Sequence, residues 1–170
     1  MKKILLVFIL LQLCCQTQAF AKKFKPTQEL KTTIEEIEGL NTTGKYKQAL
    51  NLCDKMISIY PKSGDLYYLR AFTKLSMDEK ADVLEDYNKA IELSPKNSDM
   101  YLMRGIFELN NGDKELALDD FNKSIKFNSK NEAAYSMRAS IKFKQGKYKA
   151  ANKDLKKAVE LCNKKYPENL

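Results

Sequence analysis

The sequence predicts an all-α fold, an array of antiparallel helix pairs, and three observations carry that prediction. The first is a strict period: Arg70, Arg104 and Arg138 are the only arginines among 30 basic residues, and each stands 34 residues from the next. The second is that residue type keeps the same ruler, as in Tyr67, Tyr101 and Tyr135; Ala71, Gly105 and Ala139; Val83, Ala117 and Ala151; Tyr87, Phe121 and Leu155; and Ala90, Ser124 and Ala158. The third is that apolar residues within one period recur at three- and four-residue steps, as Val83, Tyr87, Ala90 and Ile91 do, which is the spacing of one helix face. Composition agrees, since 170 residues with 44% hydrophobic and 31% charged residues suit one helical domain with one core rather than a β-sandwich or a disordered chain.

In chain order, residues 1–21 read as a secretory signal peptide. Met1-Lys2-Lys3 gives a positive start, Ile4 to Leu13 an apolar run broken only by Gln12, and Ala19-Phe20-Ala21 a small-x-small cleavage site. The run is well short of the roughly 20 residues that span a bilayer, so a retained membrane helix is the weaker reading. Cys14 and Cys15 raise a lipoprotein alternative, with the chain tethered at one of them, although Leu13 is larger than lipidation signals usually take before the cysteine. Cleavage after Ala21 removes Lys2 and Lys3 and lowers the formal charge from +8 to +6. Residues 22–29 then read as a short linker and 166–170 as a tail.

Between them lie four contiguous units, residues 30–63, 64–97, 98–131 and 132–165, each predicted to hold two helices. Gly44, Gly112 and Gly146 mark the turn inside a unit, where a residue without Cβ tolerates positive φ, and Asp78 takes that place in the second unit. Pro61 and Pro95 close the first two units, with Ser129 and Asn163 in their place in the others. Small residues at Ala71, Gly105 and Ala139 are expected to let paired helices approach, with Tyr87, Phe121 and Leu155 filling the adjoining space. Signal cleavage would leave Cys53 and Cys162, which fall in the first and last units, whereas a disulfide needs Cα atoms within about 7 Å. Cys53 aligns with Tyr87, Phe121 and Leu155 and reads as a small buried hydrophobe.

On these residues the chain resembles tetratricopeptide repeat proteins, whose 34-residue helix–turn–helix unit carries aromatic, small, glycine, alanine, aromatic and proline positions at fixed offsets. The strongest stretches are YLMRG at 101–105, ALDDFNKSI at 117–125 and DYNKAIELSP at 86–95. Thr33 in place of the first aromatic, Asp78 in place of a turn glycine and the missing final prolines depart from the pattern, and they make the first unit the least typical. The resemblance implies a right-handed α-solenoid whose first helices line a concave groove. It makes Tyr68, Leu69, Phe72 and Leu75, then Leu102, Met103, Ile106 and Leu109, then Ser136, Met137, Ser140 and Phe143 the residues expected to meet a partner. An apolar stripe at helical spacing also serves as core, so several of these are expected to face inwards. Relatives that clamp an acidic peptide terminus use lysine and asparagine at such positions, and apolar or small residues stand there here.

Asp86, Asp120 and Asp154 each follow an arginine by sixteen residues, and in the first unit both members are absent, Glu36 and Leu52 standing at their positions. The joint absence points to structural ion pairs, Arg70 with Asp86, Arg104 with Asp120 and Arg138 with Asp154, or the same residues paired across neighbouring units. A planar guanidinium meets a carboxylate bidentately where lysine cannot.

Lys147, Lys149, Lys153, Lys156, Lys157, Lys164 and Lys165 make the last unit basic, which reads as the solvated outer face of a terminal repeat or as attraction to an acidic surface. No arginine-aromatic reading motif points to nucleic acid. The chain has no histidine, metal-spaced Cys/His cluster, phosphate loop or nucleophile elbow, so neither catalysis nor a cofactor is expected. The sequence thus points to an exported, bacterial-type, periplasmic or secreted scaffold or assembly factor that binds a protein or peptide. The alternative is a membrane-tethered or self-associating envelope component, for which the apolar edge of the last unit would be the surface.

Overall fold

The computed structural model describes residues 26–165 as eight helices with no strand among the described residues. The expected signal peptide and the tail lie outside the described residues. The helices are α1 (Pro26–Thr42), α2 (Tyr46–Ile59), α3 (Gly64–Ser76), α4 (Val83–Leu93), α5 (Ser98–Asn110), α6 (Lys114–Phe127), α7 (Glu132–Lys144) and α8 (Tyr148–Lys165). Each unit contributes one antiparallel pair, and each pair packs on the next through its second helix, α2 on α3, α4 on α5 and α6 on α7. Part of the expected linker is helical, because α1 already begins at Pro26, a residue whose fixed φ suits the first turn of a helix.

The turns follow from backbone sterics. Gly44, Gly112 and Gly146 have φ of 72°, 95° and 73°, the left-handed region that a Cβ penalises. In the second unit Asp78 takes that conformation at φ 60°, and Asp82 repeats it four residues later. The second left-handed residue delays α4 to Val83, so that helix has 11 residues where α2 and α6 have 14.

Three apolar clusters run along the array: Ile37, Cys53 and Leu69 with their neighbours, then Tyr87 with Phe107, then Phe121 with Ile141. Each joins one unit to the first helix of the next, so the core is continuous only because units stack. Inside the third unit a Cβ on Gly105 would lie 2.8 Å from the Phe121 ring, which is why the residue there is glycine. Leu155 departs from the expected filler role. Cys53, Tyr87 and Phe121 are fully buried while Leu155 is 45% exposed, since no described helix stacks on α8. Cys53 and Cys162 are free thiols, and burial pushes the Cys53 thiol up to about 12, out of the range of ordinary thiol chemistry.

Candidate functional site

The first helices α1, α3, α5 and α7 carry the residues singled out for partner contact. Tyr68, Phe72 and Leu75 follow one another at four- and three-residue steps along one stripe of α3, and Leu102, Ile106 and Leu109 repeat the stripe on α5. All six are half-buried, and all but Phe72 pack one side on a core cluster. On α7 the stripe thins to Ser136 and Ser140 and ends at Phe143, which is 60% exposed.

One expected contact residue is buried in the core, and two half-buried ones, Met103 and Met137, lie off the stripe. Leu69 is buried in the first cluster against Cys53 and Met56. Met103 and Met137 lie one position past the stripe, which turns them about 100° around the helix axis and onto the clusters of Tyr87 and Phe121.

The stripe has a polar end. Glu38 on α1, Asp65 on α3 and Asp99 on α5 are exposed carboxylates. Burial first, then the charges of Asp99, Glu38 and Asp65 together, push the Tyr68 hydroxyl up to about 12. The charges of carboxylates on three successive first helices are thus felt at one tyrosine of the apolar strip. Behind Asp99 lies a buried knot in which Asn131 Nδ2 donates to Ser98 and Ser124 at 3.0 and 3.2 Å and reaches Asp99 at 3.3 Å. The same side chain accepts from the Ala134 amide and caps α7.

The arginines are held at the junctions. Arg70 meets Asp86 through Nε at 2.9 Å and Nη2 at 2.5 Å, Arg104 meets Asp120 at 2.7 and 2.8 Å, and Arg138 meets Asp154 at 2.8 and 2.7 Å. The aspartates are buried, at 2 to 4% exposure. Each guanidinium has a further arm, which donates from Nη1 to Asp54, Asn88 or Asn122 on the second helix of the preceding unit. One side chain thereby ties two consecutive second helices, and its ring neighbour Tyr67, Tyr101 or Tyr135 lies 5.5 to 5.9 Å from the charge. Hydrogen bonding to Asp86 holds the Arg70 guanidinium above its ordinary range. For Asp154, burial pulls its carboxyl up, but the bonds from Arg138 and Lys142 outweigh this and hold it below the usual range. The further arms escaped the sequence reading, although Asp54, Asn88 and Asn122 keep the same 34-residue spacing.

A lysine supports two of these pairs, Lys74 to Asp86 at 3.1 Å and Lys142 to Asp154 at 2.7 Å. Glu108 occupies the same position in the third unit. It is 7% exposed, its Oε2 has no hydrogen-bond partner, and its Oε1 lies 3.9 Å from Arg104 Nε. Burial, with the charge of Asp120 beside it and Arg104 opposing, pushes the Glu108 carboxyl up to about 7.

Among the described residues no group of His, Cys, Asp and Glu is placed to hold a metal ion, and no helix is long and apolar enough to cross a membrane.

Stacked helical hairpins, with buried clamps between units and an apolar stripe shared by successive first helices, define an α-solenoid repeat protein. The chain belongs to the tetratricopeptide repeat family: one model of that description matches residues 64–97 and 132–165, and another matches 86–119. No curated protein gives a significant match. Among solved structures it is similar to MamA, at TM-score 0.70 and 23% identity over 79% of each chain. It is also similar to PilF of Pseudomonas aeruginosa, at TM-score 0.71 and 19% identity over 77% of this chain and 60% of that one. A third is the first tetratricopeptide domain of Spaghetti (RPAP3) bound to the HSP90 peptide SRMEEVD, at TM-score 0.64 and 21% identity over 70% of this chain and 94% of that one. At these identities the likeness establishes the fold alone.

Proposed function

We propose that the protein is an exported, non-catalytic scaffold or assembly factor that holds a protein or peptide segment along its first helices. The observation that carries this reading is the apolar stripe of Tyr68, Phe72, Leu75, Leu102, Ile106 and Leu109, open to solvent and bordered by Glu38, Asp65 and Asp99. Half-exposed aromatic and aliphatic side chains in a row favour an amphipathic or extended segment. The carboxylates add a preference for lysine or arginine at one end of it. The RPAP3 domain holds an acidic peptide; here the carboxylates at the stripe's edge favour the opposite charge.

Panning a random peptide library on the purified protein tests the reading. Selected peptides should pair apolar residues with lysine or arginine, and Phe72→Glu or Ile106→Glu should lose them while Leu116→Glu, on exposed α6 surface, keeps them. Peptides without a basic preference, or equal binding to all variants, would contradict it. Export rests on Met1-Lys2-Lys3, the apolar run and Ala19-Phe20-Ala21. Terminal sequencing of the cell-expressed protein should begin at Lys22; an acylated cysteine at 14 or 15 would establish the tethered alternative.

A further inference from the structure

The last described helix, α8, presents a surface shaped to receive another helix. Of the seven large apolar residues that are exposed among the described residues, four lie in the last unit: Phe143, Tyr148, Leu155 and Val159. Leu155 is 45% exposed and Val159 57%. Their counterparts one unit earlier, Phe121 and Ile125, are buried and half-buried beneath α7.

The three internal junctions show what such a surface accepts. The incoming helix brings Leu69, Met103 or Met137 onto the preceding cluster, an arginine at the next position, and Thr73, Phe107 or Ile141 three residues further on. The arginine reaches Asp54, Asn88 or Asn122 on the receiving helix. On α8 that receiving position is Lys156, exposed and without an ion pair among the described residues. The open junction thus keeps the apolar seat of the others and puts a cation where they place a hydrogen-bond acceptor, Asp54, Asn88 or Asn122.

We infer that α8 docks a helix of a partner protein that carries two apolar residues four positions apart with a carboxylate directly after the first. A second copy of this chain does not fit. Its free first helix, α1, offers Glu35, Glu36 and Gly39 at those three positions, all exposed, so it supplies the carboxylate without either apolar anchor. Pairing α8 with α8 would bring together two helices that each carry Lys149, Lys153, Lys156 and Lys157, a like-charge contact. This surface is separate from the first-helix stripe of the proposed function, so either can fail alone.

The test uses the full chain and three fluorescent, helix-stapled peptides copying residues 132–144. One is unaltered, one carries Arg138→Glu, and one carries Arg138→Ala with Ser136→Glu, which moves the carboxylate off the docking position. By anisotropy, the Arg138→Glu peptide should bind wild type about tenfold tighter than the other two. The chain variant Lys156→Asp, which recreates Asp54, should reverse the preference in favour of the arginine peptide, and Leu155→Glu should abolish binding of all three. Leu155 and Lys156 are solvent-exposed, so both variants are expected to keep the helical circular dichroism spectrum. Equal affinities, a preference unmoved by Lys156→Asp, or no binding would each overturn the proposal. A concentration-dependent dimer in sedimentation, lost in Leu155→Glu, would overturn it in favour of a second copy.

Discussion

Raising the pH should weaken this protein through one residue, Glu108. Its carboxyl lies beside the clamp of the third unit, where the neighbouring units place Lys74 and Lys142. Burial and the nearby Asp120 raise it from 4.5 to about 7. A raised carboxyl still holds its proton in the folded chain at pH values where the unfolded chain has released it. Its contribution to stability is therefore complete below about pH 4.5 and is lost as pH rises through about 7. At about 1.4 kcal/mol per unit, that interval sets a ceiling of about 3 kcal/mol.

The window is unusually clean because the chain has no histidine, the side chain that would otherwise titrate there. The lowered carboxyls Asp154, Glu132 and Glu160 act in the opposite sense and at more acidic pH, where stability falls as they take up protons. Urea unfolding followed by circular dichroism from about pH 5 to about pH 8 should show the loss in wild type. Glu108→Gln should remove the slope, and Glu108→Lys should be the most stable of the three at the alkaline end. A wild-type profile that is flat across the window, or a slope that survives in Glu108→Gln, would refute the reasoning.

The remaining predictions follow from the clamps and the core. Arg104→Ala should cost about 3–5 kcal/mol, because it strands Asp120 and Glu108 together without a hydrogen-bonded cation. Arg138→Ala should cost less, since Lys142 still bonds Asp154; equal losses in denaturant titrations would show that the lysine contributes nothing. Tyr87→Phe should leave stability unchanged or raise it by about 0.5–1 kcal/mol, because the buried hydroxyl has no partner and the next unit already uses Phe121 there; a clear drop in melting temperature would mean that the hydroxyl is satisfied. Gly105→Leu should cost about 1–3 kcal/mol by driving a side chain into the Phe121 ring, and an unaltered melting curve would contradict the packing of α5 on α6.

Periodicity made the helix pairs legible because every unit solves the same packing problem with the same residues. Ala71, Gly105 and Ala139 announced the close contact, and Gly44, Gly112 and Gly146 announced the turns. What escaped were departures from the average unit. The late start of α4 depends on Asp82, whose left-handed φ repeats nothing elsewhere in the array. Leu155 looks like Phe121 in the alignment, but burial at that position comes from the following helix, which a within-unit pattern does not encode. Leu69 and Met103 fall beside the exposed stripe, and only the direction of neighbouring helices separates them from it. Glu108 was visible as the odd member of Lys74, Glu108 and Lys142, yet its meaning required Asp120 to be seen beside it. Among the site residues, the arginine positions carried the most information, because a lysine-rich chain uses arginine at those three positions only.

The central claim is that the open stripe of the first helices is where a partner is held. Site-specific photocrosslinking tests it most directly, with a photoreactive residue at Phe72 or at the exposed Leu116 of α6 and a library-selected peptide as partner. Crosslinking from Phe72, and none from Leu116, is the predicted result. Crosslinks from Leu116 alone, or equally from both positions, would place binding elsewhere on the solenoid and contradict the account.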